Sequence, residues 1–158
     1  MVDPLQALAH DHRDLNELLI AIRDALGRID RGRSRLEDEA HEIGDGIEAL
    51  RDALLEHFAR EQEGLFPFVL GHLPNVTADV DAIAGEHDRI AAALTDLVRA
   101  WTAASAHGDL GEWRLALARF EELYAAHTKS ELAFLESVAA ALAANRVATE
   151  QLRHLLDA

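Results

Sequence analysis

Four long stretches of the sequence repeat apolar residues at helical spacing, and each carries one histidine inside its apolar stripe. These histidines are His12, His57, His87 and His127. The second and fourth are followed four residues later by Glu61 and Glu131, which an α-helix places one turn away on the same face. Buried imidazoles and carboxylates are costly unless something satisfies them, and a bound cation does so. The pattern therefore predicts a helical protein with a metal site in its interior.

The composition supports an all-helical fold and excludes several kinds of site. Almost half of the 158 residues are apolar, aromatic residues are few, and there are three prolines. With 15 basic and 29 acidic residues, the net charge of −14 argues against nucleic acid and anionic membrane surfaces as partners. The absence of cysteine excludes disulfides, iron–sulfur clusters and thiolate zinc sites. No apolar run is long enough to cross a membrane and the first residues do not resemble a leader, so we expect a cytoplasmic protein.

The periodicity predicts one domain over residues 1–158, built as an up-down-up-down antiparallel four-helix bundle with a short fifth helix at the C-terminus. The predicted helices span about 4–27, 35–66, 77–105, 110–144 and 147–157. Gly27 is expected to end the first helix, Ser34 to open a capping box for the second, and Pro67 to end or kink it so that the chain turns there. Asn75 or Thr77 is expected to cap the third helix.

The chain also reads as two helical hairpins of one design. His87 follows His12 by 75 residues and His127 follows His57 by 70, and the apolar positions around each pair correspond. Apolar matches alone carry little weight because any two amphipathic helices align once they are in phase. A histidine at a stripe position in all four helices is more informative. The five remaining histidines fall off these stripes or in connections and are expected in solvent: His10, His41, His72, His107 and His154.

The pseudo-two-fold pattern predicts two imidazoles for each of two metal ions, with Glu61 and Glu131 bridging them. Nitrogen and carboxylate oxygen without thiolate suit iron, manganese or zinc, and paired metals bridged by carboxylates are typical of helical bundles. Iron is the first choice, with manganese or zinc less favoured. With a bridge derived from solvent, each ion would keep an open coordination position, which a purely structural site normally closes.

The succession of a single histidine, His-x-x-x-Glu, a single histidine and His-x-x-x-Glu, one per helix, resembles the hemerythrin-like, or HHE cation-binding, domain. Leu65, Phe66 and Pro67 after the second motif add to the resemblance, which extends from about Leu5 to Leu142. It implies a four-helix bundle with an oxo- or hydroxo-bridged di-iron centre that meets oxygen or its reduced forms. It also implies ligand roles for matched residues: His12, His57, His87 and His127 as imidazole ligands, and Glu61 and Glu131 as bridging carboxylates.

Two positions depart from the oxygen-carrying members of that family. Those proteins have a second histidine one turn from the first on the third helix, where this chain has Ile83 and Ala91 on either side of His87. They also carry an aspartate five residues after the last histidine, whereas this chain has Glu131 four residues after it. Both departures argue against reversible oxygen carriage, because carriage needs one iron closed by protein ligands and the other open.

Three functions remain open on the sequence. The first is a di-iron protein that reacts with O2, peroxide or nitric oxide, with catalase-like peroxide disproportionation as one form. The second is an oxygen, redox or iron sensor, or an iron store, without turnover. The third is a bundle that the metal only stabilises. The chain's only tyrosine, Tyr124, stands one turn before His127 where the first hairpin has Leu54, and is predicted to be a core aromatic, a metal ligand or a hydrogen-bond donor beside the metals.

Overall fold

The structure, a computed structural model, describes residues 4–143 and 145–156 and is helical, with no strand in those two ranges. Six α-helices and one π-helical segment follow each other along the chain. They are α1 (Pro4–Asp30), α2 (Leu36–Ala59), the π-helix (Arg60–Leu65), α3 (Phe66–His72), α4 (Thr77–His107), α5 (Gly111–Leu142) and α6 (Arg146–Leu156). None of the described helices is both long and apolar enough to cross a lipid bilayer. The all-helical prediction is confirmed.

The first helix does not end at Gly27, as predicted, but continues one turn further to Asp30. Its last turn is held by Arg28, whose guanidinium donates to Glu39 at 2.7 and 2.8 Å and to Glu42 at 2.9 Å on α2. Gly32, at a φ of 63°, then takes the left-handed conformation that ends the helix. Arg28, in the last turn of α1, therefore joins the two arms of this hairpin.

The caps also differ from those predicted. Helix α2 is opened by Arg35, whose backbone N–H donates to Asp38 at 3.4 Å, one position later than Ser34. Neither Asn75 nor Thr77 caps α4 with its side chain, and Asn75 instead adopts a φ of 62° in the preceding turn. At the start of α5 the carboxylate of Asp109 accepts from the Gly111 N–H at 2.8 Å.

The prediction that the chain turns near Pro67 is wrong. The helix passes through a π-helical segment, in which the Phe66 N–H bonds to the Glu61 carbonyl five residues back, and continues to His72. Proline lacks an N–H and its ring crowds the carbonyl four residues earlier, so a wider turn before Pro67 removes the conflict while the chain stays helical. The chain turns only after Leu73, which is extended with φ −117° and ψ 134°.

The helices pack as two hairpins, α1 against α2 and α4 against α5, joined by contacts of α2 with α4 and of α1 with α5. Helix α6 packs on the π-helix, α1 and α5. The buried apolar side chains form two clusters. One runs from Leu15 through Leu54 and Ile90 to Tyr124, and the other contains Leu8, Leu65, Ile83 and Phe134. In each of the four long helical stretches, the stripe histidine stands between residues of these two clusters, so the histidines form a polar layer inside an apolar interior.

Candidate metal centre

All six predicted ligands are buried, although each could ionise. His57, Glu61, His127 and Glu131 are completely inaccessible to solvent, and His12 and His87 are nearly so. Four of the histidines expected in solvent, His41, His72, His107 and His154, are exposed, and the side chain of His10 lies outside the described residues. The phase of each histidine on its apolar stripe therefore separates the buried imidazoles from the exposed ones wherever the side chain is described.

The buried groups converge in two overlapping sets. In the first, His12, His57, His127 and Glu131 offer ligand atoms that all lie within 4.8 Å of one another, and in the second Glu61, His87 and His127 do so. Glu131 Oε2 lies 2.9 Å from His12 Nε2, 2.9 Å from His127 Nε2 and 3.4 Å from His57 Nε2. Glu61 Oε2 lies 3.1 Å from His87 Nε2 and 3.7 Å from His57 Nε2. His127 thus stands between the two sets.

Several of these atoms have no hydrogen-bond partner although they are shielded from water. They are both carboxylate oxygens of Glu61, Oε1 of Glu131, Nε2 of His87 and Nε2 of His127. His127 Nε2 approaches Glu131 closely, but not in the geometry of a hydrogen bond. Each unsatisfied buried polar atom costs about 1–3 kcal/mol. Separations near 3 Å between donor atoms are what two ligands of one ion show when each bond is about 2.1 Å long, so the residues present fit metal cations.

The charges of this cluster would be compensated by protons in metal-free protein. Burial alone would lower the pKa of His57, but its hydrogen bonds to Asp11 and Glu131 and the charge of Glu61 raise that pKa to about 10. Burial would also lower the pKa of His127, but Glu131 raises it, and the net shift is upward. Burial raises the pKa of Glu61, whereas three imidazoles, His12 foremost, hold the pKa of Glu131 far below its usual range against the effect of burial. Cations would replace these protons.

Two acidic residues that the sequence did not single out each orient a histidine on the other helix of the same hairpin. Asp11 Oδ2 accepts from His57 Nδ1 at 3.2 Å and is also held by the Arg60 guanidinium at 2.8 Å. Because an imidazole that donates from Nδ1 presents its lone pair at Nε2, the contact fixes the tautomer that a metal needs. Burial alone would raise the pKa of Asp11, but the contacts with His57 and Arg60 lower it by more. The net pKa is below its usual value, so Asp11 remains a carboxylate.

Glu86 does the same for His127. Its Oε2 accepts from His127 Nδ1 at 3.0 Å and from the Ser130 hydroxyl at 2.6 Å. Asp11 and Glu86 are separated by the same 75 residues as His12 and His87, and Arg60 and Ser130 by the same 70 as His57 and His127. The duplication therefore extends to the groups that orient the imidazoles. An acidic residue directly before each single histidine was the signal in the sequence.

Aromatic rings and an amide hold His87. Its imidazole stacks on Phe58 with ring centroids 3.8 Å apart and on Phe66 at 5.8 Å. The Gln62 side-chain amide lies 3.3 Å from His87 Nδ1. The position one turn later carries Ala91, so no second histidine of α4 joins the site. The ring is fixed by stacking together with the amide.

Tyr124 lies beside the cluster. Its ring meets that of His12 edge-on at a centroid distance of 6.1 Å and stacks on Phe120 at 6.0 Å. Burial raises the pKa of Tyr124 well above its usual range, although the Thr128 side chain opposes the shift, so the phenol is neutral. Its hydroxyl has no hydrogen-bond partner of normal geometry among the described residues. The tyrosine therefore adds a hydroxyl without a normal hydrogen bond beside the converging imidazoles and carboxylates.

A comparison with family models adds a finding that agrees with this geometry. The model of the hemerythrin HHE cation-binding domain matches residues 3–133, which include all six converging side chains. Comparisons with curated proteins and with solved structures gave no match. Because the family match covers most of the 158 residues, the chain belongs to the hemerythrin HHE cation-binding domain family.

Proposed function

We propose that this protein is a non-heme di-iron protein that reacts with small oxygen species, namely O2, peroxide or nitric oxide, with peroxide disproportionation as the activity to test first. The observation that carries the proposal is the set of buried, unpartnered ligand atoms on Glu61, His87, His127 and Glu131. A site that served only to fill the core would not leave so many polar atoms unsatisfied. The contacts of α1 with α2 and α5, and of α4 with α2 and α5, support an antiparallel four-helix bundle around them.

The two overlapping sets of donor atoms support two ions rather than one. We assign His12, His57 and Glu131 to one ion and His87 and Glu61 to the other. His127 contributes donor atoms to both sets and stands where the two ions would meet. Because no second histidine stands one turn from His87 on α4, the ion near His87 would have fewer protein ligands than an oxygen carrier would provide. An ion with few protein ligands keeps positions for a small molecule, which favours reaction over simple storage.

Nitrogen and carboxylate ligands without sulfur suit iron, and manganese or zinc would also accept them. Iron, when bound, supplies one-electron redox chemistry and a Lewis acid next to the incoming molecule. The chain supplies the rest. Asp11 and Glu86 hold the imidazoles of His57 and His127 in the required tautomer, and the two apolar clusters on either side of the polar layer exclude water.

The test is to load metal-free protein with ferrous iron under anaerobic conditions, remove the excess, and measure iron per chain. Optical spectra and gas evolution are then recorded on adding O2 and hydrogen peroxide. We expect about two irons per chain, since the donor atoms form two sets, together with a new visible or near-ultraviolet band and oxygen release from peroxide. His127→Ala should lose most of the iron. His41→Ala is the matched control, because His41 lies on α2 with a side chain that is 92% exposed.

The result separates the three functions. Peroxide turnover with oxygen release supports the proposal, and a spectral change without turnover would instead favour a sensor or store. Stable binding of a redox-inert metal in preference to iron would leave only a structural role. Iron content in His127→Ala equal to that of the parent would show that the converging side chains are not the ligands.

A further inference from the structure

A groove between α1 and α5 runs beside the metal centre. Its volume is about 490 Å³, and its walls include Asn16, Ile20 and Arg23 from α1 and Glu121, Ala125 and Thr128 from α5. Arg23 and Glu121 form an ion pair across the two helices, and the arginine side chain is more than half exposed. Ile20 is 52% exposed and presents an apolar side chain to the groove. The groove is therefore open to solvent along an apolar wall.

Tyr124 is the residue that the groove and the metal centre share. It lines the groove, and its ring also contacts His12 edge-on. The residue is only 2% exposed, yet its hydroxyl makes no hydrogen bond of normal geometry among the described residues, although the Thr128 side chain is close enough to lower the pKa of the phenol. A buried hydroxyl normally finds a partner, so this one is placed to meet a molecule that the protein itself does not supply.

The first hairpin has nothing equivalent. Its matching residue is Leu54, which is fully buried and has no polar group. A second apolar groove, of about 360 Å³, lies between α2 and α4 and is lined by Leu55 and Thr95, among others, but none of the six converging residues lines it. None of the six lines the α1/α5 groove either, but of these two grooves only that one is lined by a residue with a buried polar atom that makes no normal hydrogen bond, the hydroxyl of Tyr124.

We propose that the groove between α1 and α5 is the route by which small oxygen species reach the metal centre, and that the Tyr124 hydroxyl donates a hydrogen bond to the molecule once it arrives. This inference rests on the proposed function, since it needs a metal centre that binds a small molecule. The neutral phenol is a donor to any ligand with an exposed lone pair, including peroxide and azide. Tyr124 is a positioning residue in this account and not a metal ligand.

The route is tested by filling each groove with the same side chain. Ile20→Trp narrows the α1/α5 groove, and Leu55→Trp is the matched control, because Leu55 is 48% exposed and lines the α2/α4 groove. Ala125→Phe, on the opposite wall of the first groove, is a second variant in case Ile20→Trp folds poorly. Each iron-loaded protein is mixed with azide and with hydrogen peroxide in a stopped-flow instrument. Iron content and melting temperature are measured alongside.

We expect Ile20→Trp and Ala125→Phe to slow azide association by about tenfold at unchanged iron content, because entry then needs a side-chain movement. Leu55→Trp should stay close to the parent. Equal rates in all variants, or slowing by Leu55→Trp alone, would overturn the route while leaving the iron centre intact. A parent protein that binds no iron would instead remove the proposed function itself.

Tyr124→Phe tests the hydrogen bond separately, since it preserves the ring and removes the donor. We expect the azide dissociation constant to rise by about fivefold through faster dissociation, with association nearly unchanged, as for the loss of one hydrogen bond. Because the chain has one tyrosine, its near-ultraviolet absorption also reports the contact, and should shift when azide binds to the parent. An unchanged dissociation constant and no shift would show that the hydroxyl plays no part. A strong ferric phenolate band in the parent would make Tyr124 a ligand and would also overturn the assignment.

Discussion

The two hairpins carry a single histidine and a His-x-x-x-Glu pair at corresponding positions, yet their glutamates make different contacts. Glu131, on the regular helix α5, lies 2.9 Å from the histidine four residues before it and reaches two further imidazoles. Glu61 lies in the π-helix, 3.7 Å from His57, and its closest imidazole is His87 on α4, at 3.1 Å. A π-helical turn contains more residues than an α-helical one, so a glutamate four residues after a histidine points in a different direction there than on an α-helix. Helix type as well as spacing therefore decides which groups a side chain reaches.

The comparison predicts that the two glutamates are not equivalent. Glu131→Gln removes a charge from contact with three imidazoles, whereas Glu61→Gln removes it chiefly from His87. We expect Glu61→Gln to keep about one iron per chain, because the four-residue set of donors stays complete, and Glu131→Gln to keep less iron, because only the three-residue set of donors remains. Iron analysis after gel filtration checks this. Equal losses would mean that both glutamates bridge alike and that the π-helix has no effect on the site.

Metal removal should lower stability in both hairpins at once, since the cluster joins all four long helical stretches. A ligand present at a thousand times its dissociation constant stabilises the folded state by about 4 kcal/mol. For a chain of this size that corresponds to a fall of roughly 10 °C in melting temperature on chelation. Differential scanning calorimetry with and without a chelator measures it. A melting temperature that did not change would show that the buried ligand atoms bind no metal.

The pH dependence of stability provides a second test of whether the buried imidazoles bind metal. The folded-state pKa of His57 is raised to about 10 from its usual 6.5, so the protonated imidazole stabilises the fold fully below pH 6.5. This contribution is lost as pH rises from about 6.5 to 10, and the raised pKa of His127 acts in the same direction. Urea unfolding of metal-free protein should therefore show stability falling over that range. The metal-loaded protein should not show it, because its imidazoles are already neutral. Parallel profiles would contradict the assignment.

Replacing a carboxylate that orients a histidine should have an intermediate effect on metal affinity. Asp11→Asn replaces the carboxylate that accepts from His57 Nδ1 with a neutral, weaker amide acceptor and removes the charge that pairs with Arg60, so metal affinity should fall about 10–100-fold, as for other residues that orient metal ligands. Asp14→Asn is the control, because Asp14 is on the same helix with a side chain 67% exposed. Competition with a chelator measures the affinities. Equal affinity in the two variants would show that Asp11 only binds Arg60.

Much of the centre could be read from the sequence because it depends on helical phase. The stripes placed His12, His57, His87 and His127 in the interior, and all four are buried. The continuation past Pro67 could not be read in this way, because proline usually ends a helix and only the packing of the following turn decides between a break and a π-helix. Asp11 was missed for a different reason: it is adjacent to a stripe residue, and its role comes from a contact with another helix.

The smallest fall in metal affinity is expected for a substitution beside His87, which is held by an amide instead of a carboxylate. Gln62→Met removes the group 3.3 Å from His87 Nδ1 at similar length, but Phe58 and Phe66 still stack on the ring. Since the stacking already fixes the orientation, metal affinity should fall by less than about tenfold, at the lower end of the effects of such residues. Glu63→Met, at an exposed position of the same π-helix, is the control, and chelator competition is the measurement. A loss as large as that of Asp11→Asn would mean that the amide, and not the aromatic pair, orients His87.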